Sequence, residues 1–336
     1  MQNAIVYGIG KDFFKYESEI KKIYNILFLM DSDASRGGKL HGIPFLNANK
    51  LGNVDYDVVI VAPAYHKMEI IQQLRNLGVP DCKIVPYVPF QSGNLPKIKL
   101  ILKGTVCYGE CGNVRFKLKH SSDFGVLNQV FAHTEYGLRI NKSISVIDVG
   151  MNIGLTSLFF AGMDNVKDVY GFEPFPKTYE QAIENISLNK PEVRDKIKPY
   201  LRGMGNKSCK LRYDDYNDDF SWGMRVDGLE LAQEDSADKT IQILKADEEI
   251  DRIIGQCKGD CIVLKLDCEG SEYDILSVLN ESKVLSKIDI ILLETHDFKE
   301  KVAVDILSNN KFVVFHQFMG TAEGLGMIYA TKGFRE

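Results

Sequence analysis

Short apolar runs separated by amphipathic stretches set the rhythm of residues 1–90. Residues 4–7 (AIVY) predict a strand, and Gly8-Ile9-Gly10-Lys11-Asp12-Phe13 predicts a glycine turn entering a helix near Asp12. A second apolar run at 26–30 ends at Asp31 and Asp33, a third spans 58–62, and a fourth spans 83–85. Between the last two, residues 69–77 have helical spacing. Strands alternating with helices predict a parallel α/β sheet over 1–90. Pro86, Pro89 and Pro96 then restrict the backbone, and 91–112 read as a connector. Within it, 97–102 (KIKLIL) alternates lysine with apolar residues, which suits a strand or an amphipathic link.

The alternation resumes over a second domain, 113–336. Residues 145–149 (SVIDV) predict a strand running into Gly150-Met151-Asn152-Ile153-Gly154, followed by a helix at 155–161. The next strand, 168–172, stops at Glu173-Pro174, and further strands are expected at 198–202, 261–266 and 288–294. Glycines at 150 and 154 would let a ligand approach the backbone, and Asp148 offers acceptor oxygens at the strand end. Glu173, about twenty residues on, is placed to accept two ribose hydroxyls. This pairing of glycine loop and acidic strand end reads as a nucleoside site, without separating a nicotinamide cofactor from S-adenosylmethionine.

The segment 261–272 (CIVLKLDCEGSE) separates them. In an extended run Lys265, Asp267 and Glu269 share one face, at the strand end that borders the ligand crevice of an open α/β sheet. With the stretches VIDVGMNIGLTS, VYGFEPFPKTYEQAIENISLN, KLDCEGSEYDIL and IDIILLETH, the chain resembles the FkbM family of S-adenosylmethionine-dependent methyltransferases over about 113–334. Weaker echoes are SSDFGVLNQVFAHTEYG, KFVVFHQF and GMIYATKG. The resemblance implies a Rossmann-like class I methyltransferase domain. It also implies that Asp148, Gly150, Met151, Asn152 and Gly154 wrap the methionine end of the cofactor, although the family commonly has alanine at the position of Met151. Glu173 would hold the ribose, Phe172 and Pro174 would flank the adenine, and Met204 would lie beside that ring. The first domain resembles the small Rossmann-like domains attached to sugar-modifying enzymes. It lacks the third glycine of a dinucleotide fingerprint, so a docking or dimerisation role stands beside a nucleotide site.

Methyl transfer to a hydroxyl needs a base as the new bond forms. Asp267, Glu269 and His296 are the candidates at the sheet edge, His296 having the intrinsic pKa closest to neutrality. Lys265 is a charge inside an apolar strand, read as an ion-pair partner for these acids or for Glu294, or alternatively as a base. The same acids with His296 could bind a divalent cation, but no ligand motif singles one out and none is expected. His133, Glu135 and Tyr136 could face the acceptor. The acidic, aromatic segment 214–222, with the only tryptophan at 222, suits a glycan-contacting loop or a solvated one.

Charge narrows the partners. With 41 basic and 46 acidic side chains the formal net charge is −5, against the concentrated positive charge a general nucleic-acid or anionic-membrane binder requires. No apolar run reaches the ~20 residues of a membrane helix, and the first residues lack the form of a signal peptide. Seven cysteines, an odd number, are then expected as reduced thiols in a cytoplasm. The resulting expectation is an O-methyltransferase acting on a sugar hydroxyl of a glycan or nucleotide-linked sugar, in bacterial polysaccharide tailoring, with a homo-oligomer possible through the N-terminal domain. An N-methyltransferase acting on a small molecule and a catalytically silent cofactor-binding scaffold are the alternatives.

Overall fold

The computed structural model describes residues 1–33, 37–63, 65–89, 96–213, 226, 229–232, 239–257, 259–318 and 324–333. The acidic, aromatic segment 214–222 therefore lies outside the described residues. Contacts divide the chain into two units, Met1–Thr134 and Glu135–Glu336.

The first unit opens with β1 (Gln2–Tyr7), α1 (Lys11–Ile23) and β2 (Tyr24–Met30), then β3 (Val58–Val61), α2 (Lys67–Asn76) and β4 (Ile84–Pro86). These strands form a parallel sheet in the order β2-β1-β3-β4. An interior parallel strand is covered on both faces, which is why β1 and β3 are continuous apolar runs with Ile5, Val6, Val59, Ile60 and Val61 at 0% exposure.

Within the expected connector, the KIKLIL segment takes the strand reading and opens a small sheet. Strands β5 (Lys99–Lys103), β6 (Val106–Cys111) and β7 (Val114–Leu118) pair antiparallel in the order β5-β6-β7. The alternation in KIKLIL continues through all three strands: Leu102, Cys107, Gly109, Cys111, Val114, Phe116 and Leu118 are buried, and the intervening residues face outward. Three antiparallel strands joined by short turns need only one buried face, so a lysine-rich segment was enough to build the first of them.

The second unit contains β8 (Ile144–Val149), α3 (Leu155–Ala161), β9 (Val166–Phe172), α4 (Pro176–Ser187), β10 (Ile197–Tyr200) and β11 (Gly203–Gly205). After β12 (Cys209–Arg212) and β13 (Thr240–Lys245) come α5 (Ala246–Ile254), β14 (Cys261–Leu266), α6 (Glu272–Glu281) and β15 (Ile290–Thr295), then α7 (Glu300–Asn309), β16 (Val313–Phe318) and β17 (Gly326–Thr331). Seven of these strands make one sheet, β10-β9-β8-β14-β15-β17-β16, with β17 antiparallel to both of its neighbours. Counted within the sheet alone, the order is 3-2-1-4-5-7-6, a Rossmann-like α/β arrangement. The order reverses at β8, which pairs β9 on one side and β14 on the other. The crevice outside the carboxyl ends of these strands is therefore the place where such a sheet takes ligands. No described helix is long and apolar enough to cross a membrane.

Candidate active site

The loop after β8 turns over the sheet edge on left-handed residues, with φ of +81° at Gly150, +50° at Asn152 and +84° at Gly154. Gly150 has a second constraint: a Cβ there would land on the carbonyl oxygen of Asp267, so the loops after β8 and β14 pass backbone against backbone. The amides of Gly150 and Met151 donate to the Phe172 carbonyl at 3.0 and 2.9 Å, tying the same loop to the end of β9. Glu173 follows directly. Its Oε2 accepts from the Asn152 amide at 3.1 Å and its Oε1 from the Phe175 amide at 3.0 Å. Burial nevertheless pushes its carboxyl up to about 7, against the pull of those two amides and of Lys265. A buried carboxylate oxygen has further lone pairs, so this group can accept from hydroxyls without releasing the loop.

Beside the loop lies a charged network. Asp148 and Lys265 are paired in register across β8 and β14, and both are completely buried. The Lys265 ammonium sits 3.1 Å from Asp148 Oδ1 and 3.4 Å from Asp267 Oδ2, and donates to the carbonyls of Gly150 at 2.5 Å and Val149 at 3.3 Å. Burial alone would lower its pKa, but Asp148 and Asp267 outweigh burial and hold it charged. So arranged, Lys265 is a fixed cation rather than a proton acceptor. Asp148 also accepts from Ser157 Oγ at 2.6 Å. Asp267 is held below the usual carboxylate range: its burial works the other way, and Lys265, His296 and the Tyr136 hydroxyl overcome it.

His296 stands just beyond β15 with only 5% of its surface exposed. Its Nε2 is 3.3 Å from Glu269 Oε2 and its Nδ1 3.3 Å from Glu272 Oε1. The Tyr273 hydroxyl bonds both its carbonyl, at 2.7 Å, and its amide, at 3.1 Å. Burial disfavours the imidazolium, yet Glu272, then Asp267 and Glu269, carry the pKa up to about 10. An imidazole protonated near neutrality donates; it does not act as a base. Glu269 reaches His296 by a left-handed turn, φ +56°, since β14 ends at Leu266 and strand alternation stops before it. The expected single face for Lys265, Asp267 and Glu269 thus holds for the first two only. Asp267, Glu294 and His296 each bring a donor atom within 4.8 Å of the others, a separation a divalent cation could bridge.

Tyr136 and Glu272 complete the network. Tyr136 is fully buried, donates to Asp267 Oδ2 at 2.9 Å, and lies 3.5 Å from Glu294 Oε2 with its ring 5.5 Å from the Lys265 ammonium. Glu272, whose carboxylate accepts from the amides of Cys268 at 2.7 Å and Gly270 at 2.8 Å, fixes the loop that carries Glu269. Its sequence signal was its place in the KLDCEGSEYDIL stretch, at the first position of α6. Other expected contacts lie deeper. Phe172 is fully buried and stacks on Tyr200 with ring centroids 4.7 Å apart, and it shares the main core with Met204, which is 2% exposed. Met151 packs across Gly171, Gly154 leans on Ala182, and Pro174 packs beside Gly203 at the sheet edge.

The glycine turn of the first unit is tight at Gly8 and open at Gly10. A Cβ at Gly8 would strike the Pro63 ring, and Asp31 takes the amides of Ile9 at 2.9 Å and Asp33 at 3.1 Å. Lys67, fully buried, donates to the carbonyls of Val61 at 3.0 Å and Tyr87 at 2.8 Å, and burial pushes it down to about 7. In the same unit His133 Nε2 lies 3.3 Å from the Tyr16 hydroxyl.

Comparison with known proteins matches the methyltransferase FkbM domain model to residues 148–324, just over half of the chain, and a C2185-like N-terminal model to residues 1–85. No curated protein sequence matches. Among solved structures, the methyltransferase FkbM from Methylobacillus flagellatus KT is similar at 14% identity and a TM-score of 0.42, over 98% of this chain and 90% of that one. The precorrin-6y C5,15-methyltransferase of Geobacter metallireducens GS-15 is similar at 12% identity and a TM-score of 0.33, over 60% of this chain and 85% of that one. The domain match carries the assignment: the chain belongs to the FkbM family of S-adenosylmethionine-dependent methyltransferases.

Proposed function

We propose that this methyltransferase acts on a hydroxyl of a sugar, in a glycan or linked to a nucleotide, in polysaccharide tailoring. The observation that carries the reading is the Asp267 carboxylate at the sheet edge, its backbone against the glycine loop, 3.4 Å from the Lys265 ammonium and accepting from the Tyr136 hydroxyl at 2.9 Å. S-adenosylmethionine, when bound, supplies an electrophilic methyl group, so the protein's task is to align an acceptor and accept its proton. Residues 150–154 and Glu173 would hold the cofactor, the donor set fitting a methionine tail and a ribose diol. Asp267 would accept the hydroxyl proton, and His296, as imidazolium between Glu269 and Glu272, would steady the Glu269 carboxylate that orients the acceptor hydroxyl. An amine acceptor would need no such base, which separates the O- from the N-methyltransferase reading; a silent scaffold would need neither the base nor its supporting ions.

Two results are expected. Asp267→Asn loses turnover by about 100-fold or more while S-adenosylhomocysteine affinity stays within about twofold, because a positioned base contributes roughly 10²–10⁴. Single-turnover assays with a panel of nucleotide sugars, alongside calorimetry, check this; full activity in the variant removes Asp267 from the reaction. Cofactor affinity also falls as pH drops below about 7. Glu173 has its folded pKa raised above the ordinary 4.5, so the ligand-free fold favours its protonated form, a contribution present at low pH and lost as pH rises through about 7. The protonated carboxyl turns one of its two acceptor oxygens into a donor, so holding both ribose hydroxyls below that pH requires expelling a proton and binding weakens by up to about tenfold per unit. Calorimetry with S-adenosylhomocysteine in buffers of different ionisation enthalpy would read that proton. A pH-independent affinity between about 5.5 and 8 would separate Glu173 from the ribose.

A further inference from the structure

The three-stranded sheet β5-β6-β7 has an outward face that the methyltransferase reading does not use. From residue 97 to 119 the chain holds Lys97, Lys99, Lys103, Arg115, Lys117 and Lys119 against Glu110 alone, a local charge of +5 in a protein of net −5. Pairing register decides how these side chains lie. Lys99, Glu110 and Arg115 form one cross-strand row, and Ile101, Tyr108 and Lys117 form the next. Ile101 is 59% exposed and Tyr108 37%, side by side in the middle of the basic face. Lys103 leans over the Tyr108 ring at 5.7 Å, and Arg115 pairs with Glu110 at 3.4 Å. The opposite face, from Leu102 to Leu118, is closed core.

We infer that this face docks the protein on an anionic phospholipid surface. Charge complementarity selects an anionic partner, since each Lys or Arg held near such a surface adds attraction that salt screens. The centre of the face selects lipid over nucleic acid. An aliphatic side chain next to a tyrosine, ringed by lysines, suits the boundary between headgroups and acyl chains, whereas Ile101 offers no ring on which a base could stack. Lysine also predominates over arginine, and a point charge on a flexible stem matches a diffuse field of headgroups better than the fixed geometry of a nucleic-acid backbone. The inference is independent of which acceptor the second unit takes.

Sedimentation of the full chain with vesicles tests it. With phosphatidylcholine containing phosphatidylglycerol as about one lipid in three, the protein pellets, and added salt releases it. Phosphatidylcholine alone leaves it in the supernatant. The double variant Lys99→Glu, Lys103→Glu reduces the bound fraction by about tenfold or more, and Ile101→Ser reduces it several-fold, both keeping wild-type affinity for S-adenosylhomocysteine. Failure to pellet with phosphatidylglycerol, equal pelleting on both vesicles, or retention by a single-stranded RNA oligonucleotide without any vesicle binding would each overturn the inference.

Discussion

In the Glu173→Ala variant, affinity for S-adenosylhomocysteine falls by about 100-fold or more. Two charge-assisted hydrogen bonds to a ribose are worth about 1.5–3 kcal/mol each, and every 1.4 kcal/mol is tenfold. The truncation has a second consequence, because the amides of Asn152 and Phe175 lose their shared acceptor at the site where the loop must hold its shape. Glu173→Gln separates the two effects. The amide keeps the volume and one acceptor oxygen, so the fold persists, but its NH₂ group meets the Asn152 or Phe175 amide donor to donor. Wild-type circular dichroism with binding weakened at least tenfold is the result expected for glutamine. Unchanged binding in both variants would remove Glu173 from the cofactor site.

The largest effect on stability is expected at Lys265. In Lys265→Met the fit of the stem is retained, but Asp148 and Asp267 face each other across the sheet edge without their cation, and the carbonyls of Val149 and Gly150 lose a donor. Breaking a buried ion pair in this way costs about 3–5 kcal/mol. In a unit of this size that lowers the midpoint of thermal unfolding by on the order of 10 °C. Adding Asp148→Asn to the methionine variant removes one of the stranded charges and recovers part of the loss, an interaction a double-mutant cycle measures. A Lys265→Met protein that melts with the wild type would show that the ammonium holds nothing together.

The central parallel strands were readable because sheets covered on both faces demand long apolar runs, and β8, β9, β14 and β15 each announce themselves that way. Glu173 could be placed by its position at a strand end after a glycine loop. The lysine-rich meander was harder: half of its residues are solvated, so its signal is period-two alternation alone, and a connector has no pattern to contradict. The roles inside the charged cluster depend on partners far apart in sequence. His296 has the intrinsic pKa of a base, but Glu269 and Glu272 meet it only through the turn after β14, and these two carboxylates with Asp267 outweigh its burial. Tyr136 precedes the matched methyltransferase domain, and nothing in its local sequence ties it to Asp267. Phe172 and Met204, expected at the adenine, are buried in the main core, where Phe172 stacks on Tyr200, a packing partner that nothing in the local sequence names.

The most direct test follows the methyl group. The wild-type protein, incubated with S-adenosylmethionine labelled with ¹³C in its methyl and a pool of nucleotide sugars, is examined by NMR. The account predicts a new methyl ether carbon on a sugar ring, absent from the Asp267→Asn reaction. Label appearing on an amine, or transfer that proceeds equally without the Asp267 carboxylate, would contradict it.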